Sequence, residues 1–235
     1  MWKKAVSLLL ALLLMPMVPV AADAMPGSGG VIYLTFDDGP GPGTEALLEL
    51  LARYGAKATF FLVNTGYEMD RLLPAMAAAG HGIGIHSYSH DFASIYSSEE
   101  AFMEDLYAMQ ALIREKTGET PMLLRFPGGS SNTVSRRYCA GIMTKLTRRV
   151  TEAGFVYFDW NVDSGDAYGC DDPEQISRNV ISGIHGRERA VVLQHDLNAC
   201  SVRAVEWILR WGSRNGYRFL PLTEQSPTCH HRVQN

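Results

Sequence analysis

The chain of 235 residues is long enough for one domain with a sizeable apolar core. Apolar residues make up 46% of it and charged residues 20%, which argues against an intrinsically disordered protein. A formal net charge of -4 argues against a basic nucleic-acid-binding surface, so we expect no nucleic-acid partner.

Residues 1–24 have the pattern of a secretory signal peptide. A positively charged start precedes an apolar run at residues 5–15, and Ala-Asp-Ala at residues 22–24 is a typical cleavage site. We therefore expect a secreted protein, acting at the cell wall or the outer face of the cell, with residues 25–30 as a flexible linker. An uncleaved membrane anchor is the alternative, although the apolar run is short.

The chain contains four cysteines: Cys139, Cys170, Cys200 and Cys229. In an exported protein an even number allows two disulfides with three possible connectivities, and the sequence selects none of them. Reduced thiols are the alternative. No pair has C-x-x-C spacing, so a structural zinc cluster is not expected.

After residue 30, strand-like and helix-like segments alternate along the chain. The strand-like segments are rich in β-branched and aromatic residues and almost continuously apolar, as expected for strands buried on both faces. The predicted strands span residues 31–36, 57–63, 82–86, 122–126, 155–160, 189–195 and 217–222. The helices predicted between them span residues 44–54, 69–79, 97–117, 135–153, 173–183 and 201–215.

This alternation predicts a parallel sheet. We expect a closed or nearly closed β/α barrel, and an open doubly wound sheet is the alternative. No G-x-G-x-x-G motif follows the first strand, which argues against a dinucleotide-binding protein. Residues 223–235 are interpreted as a polar C-terminal tail.

Ionisable side chains recur where the predicted strands end, which is where active sites form in parallel β/α folds. Asp37 and Asp38 follow the first strand, although Asp-Asp-Gly-Pro is also an ordinary turn sequence. His86 and His90 are four residues apart, and on a helical turn this spacing places both imidazoles on one face. One core and one surface histidine is the alternative. Two histidines and one aspartate would form a metal site with positions left open for water and substrate.

His195 ends the sixth predicted strand. Beside a metal site, a general acid or base is a better explanation for it than a satisfied core histidine. Asp163 is expected to orient and charge this histidine. Arg125 lies in an apolar strand and therefore requires a partner. We expect it to hold a carboxylate by bidentate hydrogen bonds, and a purely structural ion pair is the alternative.

Taken together and in this order, these motifs resemble those of the polysaccharide deacetylase family, also called the NodB-homology domain or carbohydrate esterase family 4. The resemblance covers residues 31–222 and rests on five motifs: Thr-Phe-Asp-Asp-Gly-Pro at 35–40, His-Ser-x-x-His at 86–90, Arg-x-Pro-x-Gly at 125–129, Asp-x-x-Asp at 163–166 and Leu-x-His at 193–195. It implies an α/β fold, a distorted and incomplete (β/α) barrel with about seven parallel strands.

The resemblance also implies roles for individual residues. Asp37 is implied as the catalytic base, and Asp38, His86 and His90 as the metal ligands. Further implied contacts are the Gly128 N–H as a donor to the oxyanion and Leu193 as the lining of the pocket for the acetyl methyl group. The sequence departs from the family at Gly128, which replaces a usual Tyr, and at Ala167, which replaces a usual Trp.

The implied activity is metal-dependent removal of N-acetyl groups from a polysaccharide, with Zn²⁺ as the expected cofactor and Co²⁺ or another divalent ion as alternatives. An exported bacterial-type chain suggests the N-acetylglucosamine of peptidoglycan as the substrate. Chitin oligomers and acetylated xylan are alternative substrates, and a non-catalytic glycan-binding module is the alternative from another class. The expected partner is an N-acetylated glycan, and no stable protein partner is implied.

Overall fold

Eight strands form a single curved parallel sheet in the computed structural model, which describes residues 29–234. The strands are β1 (Val31–Asp37), β2 (Ala58–Leu62), β3 (Gly82–Ile85), β4 (Leu123–Leu124), β5 (Val156–Tyr157), β6 (Val162–Asp163), β7 (Arg189–His195) and β8 (Arg218–Phe219). Their order in the sheet is β5-β4-β3-β2-β1-β7-β6, and β8 pairs with the first two residues of β1. The predicted incomplete α/β barrel is therefore confirmed.

In the part of the chain that the structure describes, seven α-helices connect or follow these strands. They are α1 (Thr44–Arg53), α2 (Met69–Ala78), α3 (Phe92–Ile95), α4 (Glu99–Thr117), α5 (Ile142–Glu152), α6 (Pro173–Ile184) and α7 (Ala199–Arg214). Side chains that precede α4 and α7 cap their first turns. The Ser98 hydroxyl accepts a hydrogen bond from the Ala101 N–H, and the Asn198 side chain accepts bonds from two N–H groups of α7.

The structure differs from the sequence prediction at three short elements. The single helix predicted at residues 135–153 is instead a 3₁₀ turn, Ser135–Arg137, followed by α5. Gly141 separates the two with a φ of +75°, which a right-handed helix does not allow. Neither α3 nor β6 was predicted, because four and two residues are too few to show a periodic pattern.

The two faces of the sheet pack into two apolar cores. Successive side chains of a strand point to opposite faces. Leu34 and Phe36 of β1 therefore pack against the helices in the larger core. Tyr33 points the other way, into a smaller core inside the barrel, together with Phe61, Leu123, Phe158, Val191 and Leu222. The inner face towards the carboxyl ends of the strands is polar instead, with Thr35 and Asp37 both buried.

Some predictions from the sequence concern residues outside the described part of the chain, and others concern the cysteines and the C-terminal residues. The predicted signal peptide and residues 25–28 lie outside the described residues. Within residues 29–234, no helix is long and apolar enough to cross a membrane. All four cysteines are half-buried and none forms a disulfide. Within the predicted tail, His230 contacts Tyr157 of β5 and His231 contacts Asp159, which follows β5.

Gly212 lies where α7 passes close to the sheet. A Cβ atom at this position would lie 2.5 Å from the Phe219 ring and 3.2 Å from Ile32 Cδ1. We expect Gly212→Ala to lower the free energy of unfolding by about 1–3 kcal/mol because of this overpacking. The expected effect opposes helix propensity, which favours alanine over glycine by about 1 kcal/mol.

Ser213→Ala is the matched control, because Ser213 is the next residue of the helix and is exposed. This control should leave stability unchanged or slightly higher. Urea unfolding followed by circular dichroism measures both variants. A Gly212→Ala protein as stable as the parent would contradict the close packing of α7 on the sheet.

Candidate active site

The candidate site lies at the carboxyl ends of the central strands. The pairing of β1 with β2 and β7 places Asp37 opposite Phe61 of β2 and opposite His195 of β7. Asp38 follows at the turn. The third strand ends one residue before His86. The parallel register thus brings together carboxylates and imidazoles that are up to 158 positions apart in the sequence.

Asp38, His86 and His90 form a compact group of three potential metal ligands. Asp38 Oδ1 lies 3.4 Å from His86 Nε2 and 3.3 Å from His90 Nε2, and one ligand atom of each residue lies within 4.8 Å of the other two. Asp38 Oδ1 is buried and has no hydrogen-bond partner among the described residues. A buried carboxylate oxygen facing two ring nitrogens is costly unless a cation lies between them. The three side chains therefore fit a divalent metal ion.

The protonation of the two histidines suits metal binding. The Nδ1 atom of His86 lies 2.8 Å from the Arg125 carbonyl oxygen, which can only accept a hydrogen bond. Nδ1 therefore carries a proton, and in the neutral ring Nε2, which faces Asp38, is the nitrogen available to a metal. Burial and the charge of His86 lower the pKa of His90, against the opposing charges of Asp38, Asp37 and Asp105. Neutral imidazole is the form that binds a metal.

The two histidines are joined by a loop, and the helical turn that their spacing suggested is absent. Asp105 of α4 holds this loop, because its carboxylate accepts hydrogen bonds from the Ser87 hydroxyl at 2.6 Å and from the Tyr88 and Ser89 N–H groups at 2.7 and 2.8 Å. No sequence pattern predicts this contact, since Asp105 is an ordinary charged residue of an amphipathic helix.

Two of the three potential ligands have left-handed backbone conformations. Asp38 has a φ of +70° and His90 a φ of +53°. Such values are unfavourable for residues with a Cβ atom and persist where the surrounding structure imposes them, often at functional sites. Both conformations aim a side chain at the same point, which supports a functional role for this cluster.

Arg125 is fully buried and holds Asp37. Its Nη1 donates to Asp37 Oδ1 at 2.9 Å and to the Thr35 hydroxyl at 2.6 Å. The prediction that Arg125 holds a carboxylate by two hydrogen bonds is wrong. Its Nε and Nη2 instead donate to the carbonyl oxygens of Phe158 and Asp159 at 3.0 and 2.9 Å. The guanidinium thus bonds one carboxylate and several neutral oxygens, which fixes the Asp37 carboxylate in place.

His195 is held by Asp166, and the predicted contact with Asp163 is wrong. Asp166 Oδ1 lies 2.9 Å from His195 Nδ1, and Oδ2 accepts a hydrogen bond from the His195 N–H at 2.8 Å. The Asp163 carboxylate accepts from the Gly165 N–H at 2.8 Å within its own turn. The chain turns back between the two aspartates, so the second one, three residues on, reaches the histidine.

The electrostatic surroundings favour a protonated His195. Burial lowers its pKa, but the hydrogen bond with Asp166 and the charges of Asp37, Asp166 and Asp38 outweigh burial and raise the pKa to about 9. Burial raises the pKa of Asp166, but its hydrogen bonds and the charge of His195 bring that pKa below the ordinary value. His195 Nε2 lies 3.9 Å from Asp38 Oδ2, so the ring faces the ligand cluster. A protonated imidazole in this position can donate a proton.

Gly128 and Leu193 are the two residues expected to contact the substrate. Gly128 has a φ of +76° and follows β4, and none of the described residues accepts a hydrogen bond from its N–H. Leu193 is buried and precedes His195 by two residues on the same face of β7. The free N–H and the apolar side chain suit the oxyanion and methyl contacts expected of them.

Asp196 is a second buried carboxylate that the sequence prediction did not use. Its side chain accepts a hydrogen bond from the Thr44 hydroxyl, and burial raises its pKa to about 6. A Cβ atom at Gly39 would lie 2.4 Å from the Asp196 carboxylate. Asp196 therefore packs directly beneath the turn that follows Asp38, and only glycine fits at position 39.

Comparison with known proteins gives the same assignment as the motifs. The profile of the polysaccharide deacetylase family matches residues 24–143. A peptidoglycan-N-acetylglucosamine deacetylase of Bacillus cereus is 37% identical over 202 residues, which cover 83% of this chain and 70% of that protein.

Solved structures agree with this result. The crystal structure of the catalytic domain of peptidoglycan N-acetylglucosamine deacetylase from Eubacterium rectale matches with a TM-score of 0.86 and 51% identity, covering 92% of this chain and 99% of that one. A family 4 carbohydrate esterase from Streptomyces lividans, in complex with acetate, matches with a TM-score of 0.71 and 26% identity, covering 86% and 97% of the two chains. The resemblance seen in the motifs is confirmed, and this chain belongs to the polysaccharide deacetylase family.

Proposed function

We propose that this protein removes N-acetyl groups from the N-acetylglucosamine of peptidoglycan, using one divalent metal ion, Zn²⁺. The observation that carries the proposal is the convergence of three groups at one end of the sheet. These are the potential metal ligands, the Asp37 carboxylate fixed by Arg125, and the protonated His195 fixed by Asp166. Metal-dependent hydrolysis of an amide uses these three functions: an electrophilic cation, a base and an acid.

The metal ligands are Asp38, His86 and His90. Two imidazole nitrogens and one carboxylate oxygen are a typical donor set for catalytic zinc, which keeps a position open for other ligands. A cation bound here would lower the pKa of water and polarise the acetyl carbonyl.

Two side chains and one backbone N–H of the centre also take part in the hydrolysis. Asp37 takes a proton from the attacking water as the new C–O bond forms. The Gly128 N–H donates a hydrogen bond to the carbonyl oxygen as it becomes negatively charged. His195 gives its proton to the amide nitrogen as the C–N bond breaks. One amide and one water thus yield acetate and the free amine of the sugar.

The proposed substrate follows from the similar proteins and from the predicted export of the chain. The Bacillus cereus relative and the Eubacterium rectale structure are both named as acting on peptidoglycan N-acetylglucosamine. The signal-peptide pattern at residues 1–24 would bring this enzyme to the same polymer outside the cell. Chitin oligomers and acetylated xylan are the alternative substrates.

Mass spectrometry of glycans incubated with zinc-loaded protein tests this function. We expect a loss of about 42 Da for each sugar deacetylated by metal-assisted hydrolysis, with peptidoglycan fragments as the preferred substrate. Chitin oligomers and acetylated xylan serve as comparison substrates. If none of the three substrates loses mass, the proposed activity would be wrong, and a non-catalytic glycan-binding module would be the better interpretation of this protein.

Asp38→Asn and Asp37→Asn should separate metal binding from proton transfer. Asp38→Asn removes a ligand charge, so we expect zinc content to fall below half an equivalent and turnover to be lost together with the metal. Asp37→Asn keeps all three ligands, so we expect zinc content near one equivalent but turnover lowered by about 100-fold or more. Metal analysis after gel filtration and acetate release are the measurements. Parental turnover in Asp37→Asn would remove Asp37 from its role as the base.

Asp166→Asn and Asp163→Asn form a second matched pair. Loss of the Asp166 charge lowers the pKa of His195, so we expect the decline of kcat/KM at high pH to begin at lower pH. We also expect kcat to fall by about 100-fold or more, as for a general acid that is lost. Asp163→Asn should change neither property by more than about twofold, because an amide oxygen can still accept from Gly165. Equal effects of the two substitutions would contradict the contact between Asp166 and His195.

A further inference from the structure

Residues 229–231 form a segment, here called the C-terminal strap, that lies beside the chain following β5. The Asp159 N–H donates to the Cys229 carbonyl oxygen at 2.7 Å. The His230 ring stacks on Tyr157 with centroids 3.8 Å apart, and its Nε2 lies 2.9 Å from the Tyr157 carbonyl oxygen. Since β5 is an end strand of the sheet, the C-terminal strap covers one open edge of the barrel.

His231 of the C-terminal strap binds two consecutive residues. Its N–H donates to Asp159 Oδ2 at 2.7 Å. Its ring Nε2 donates to the Trp160 carbonyl oxygen at 2.7 Å, because that oxygen can only accept, and the ring meets the Trp160 indole at 4.7 Å between centroids. Nδ1 then lies 3.0 Å from the Ser131 hydroxyl. Both the backbone and the ring of His231 are therefore fixed.

Asp159 and Trp160 in turn carry the glycine turn that follows β4. The Asp159 carboxylate is fully buried and accepts hydrogen bonds from the Ser130 N–H at 2.7 Å and the Ser130 hydroxyl at 2.5 Å. A Cβ atom at Gly129 would lie 2.9 Å from the Trp160 ring and 3.2 Å from Asp159 Oδ1. The turn rests directly on the two residues that His231 holds, and it contains Gly128.

Asp159 also contacts Arg125, the residue that holds Asp37. The Asp159 carbonyl oxygen accepts from Arg125 Nη2 at 2.9 Å, and Arg125 Nη1 donates to Asp37. A displacement of Asp159 would therefore move both the N–H of Gly128 and the carboxylate of Asp37.

We infer that the C-terminal strap positions the catalytic centre: His231 fixes Asp159, and Asp159 fixes the Gly128 turn and the Arg125–Asp37 pair. This inference rests on the proposed deacetylase function, since Gly128 and Asp37 act in that reaction. A strap that only closed the barrel would affect stability alone. A positioning strap affects the transition state, because small displacements of reacting groups lower kcat strongly.

Substitutions at His231, compared with His230→Ala, separate these two roles. His231→Pro removes the N–H donor and the ring, His231→Ala removes the ring alone, and His231→Gln keeps a side-chain donor for Trp160. His230→Ala removes a stacked ring of the same strap that does not reach Asp159. All variants keep the three metal ligands, so zinc content should equal that of the parent.

We expect kcat to fall by about 10-fold or more in His231→Pro, with KM within about twofold of the parent. His231→Ala should show a smaller decrease, and His231→Gln should recover most of it. His230→Ala should keep kcat within about twofold, even if its melting temperature falls as far as that of a His231 variant. If His231→Pro does not fold, His231→Ala against His231→Gln decides the result. Parental kcat in the folded His231 variants would overturn the inference.

Hydrogen exchange of residues 125–131 gives a readout that does not need activity. We expect the amides of this segment to exchange faster in His231→Pro and His231→Ala than in His230→Ala. Unchanged exchange in the folded His231 variants would overturn the inference on its own. A parent that releases no acetate, but whose segment 125–131 loosens in the His231 variants, would instead contradict the proposed deacetylase function.

Discussion

The centre depends on the hydrogen bonds of one buried cation, the guanidinium of Arg125. It bonds Asp37 and Thr35 of β1 and two carbonyl oxygens beyond β5, and it lies 4.3 Å from the Phe61 ring centroid of β2. Without these acceptors and the ring, a cation could not be buried inside the barrel. The polar half of the barrel interior is thus built around one charge, and the position of the Asp37 carboxylate follows from it.

The three carboxylates of the centre differ in the groups that surround them. Asp37 is paired with Arg125, and Asp166 with His195, so two carboxylates have fixed partners within the protein. Asp38 has histidines as neighbours, and one of its oxygens, which is buried, has no hydrogen-bond donor within residues 29–234. The three aspartates thus have different partners although they have the same chemical type, and this difference supports the separate roles proposed for them.

Much of the fold and of the candidate ligand set could be predicted from the sequence, because both depend on local patterns. The long central strands β1 and β7 gave strong apolar signals, and Asp38, His86 and His90 lie at strand ends in recognisable motifs. The contacts of Asp105, Asp159 and Asp166 could not be predicted in the same way. Each joins residues whose distance depends on how loops turn, and turns such as that between Asp163 and Asp166 leave little trace in a periodic pattern.

An incomplete barrel carries a hazard that a closed one does not. Its end strands expose unpaired N–H and C=O groups, which can pair with another chain and lead to aggregation. The hydrogen bond from the Asp159 N–H to Cys229 and the stacking of His230 on Tyr157 occupy the edge next to β5. The C-terminal residues therefore also shield this edge from pairing with other copies of the protein.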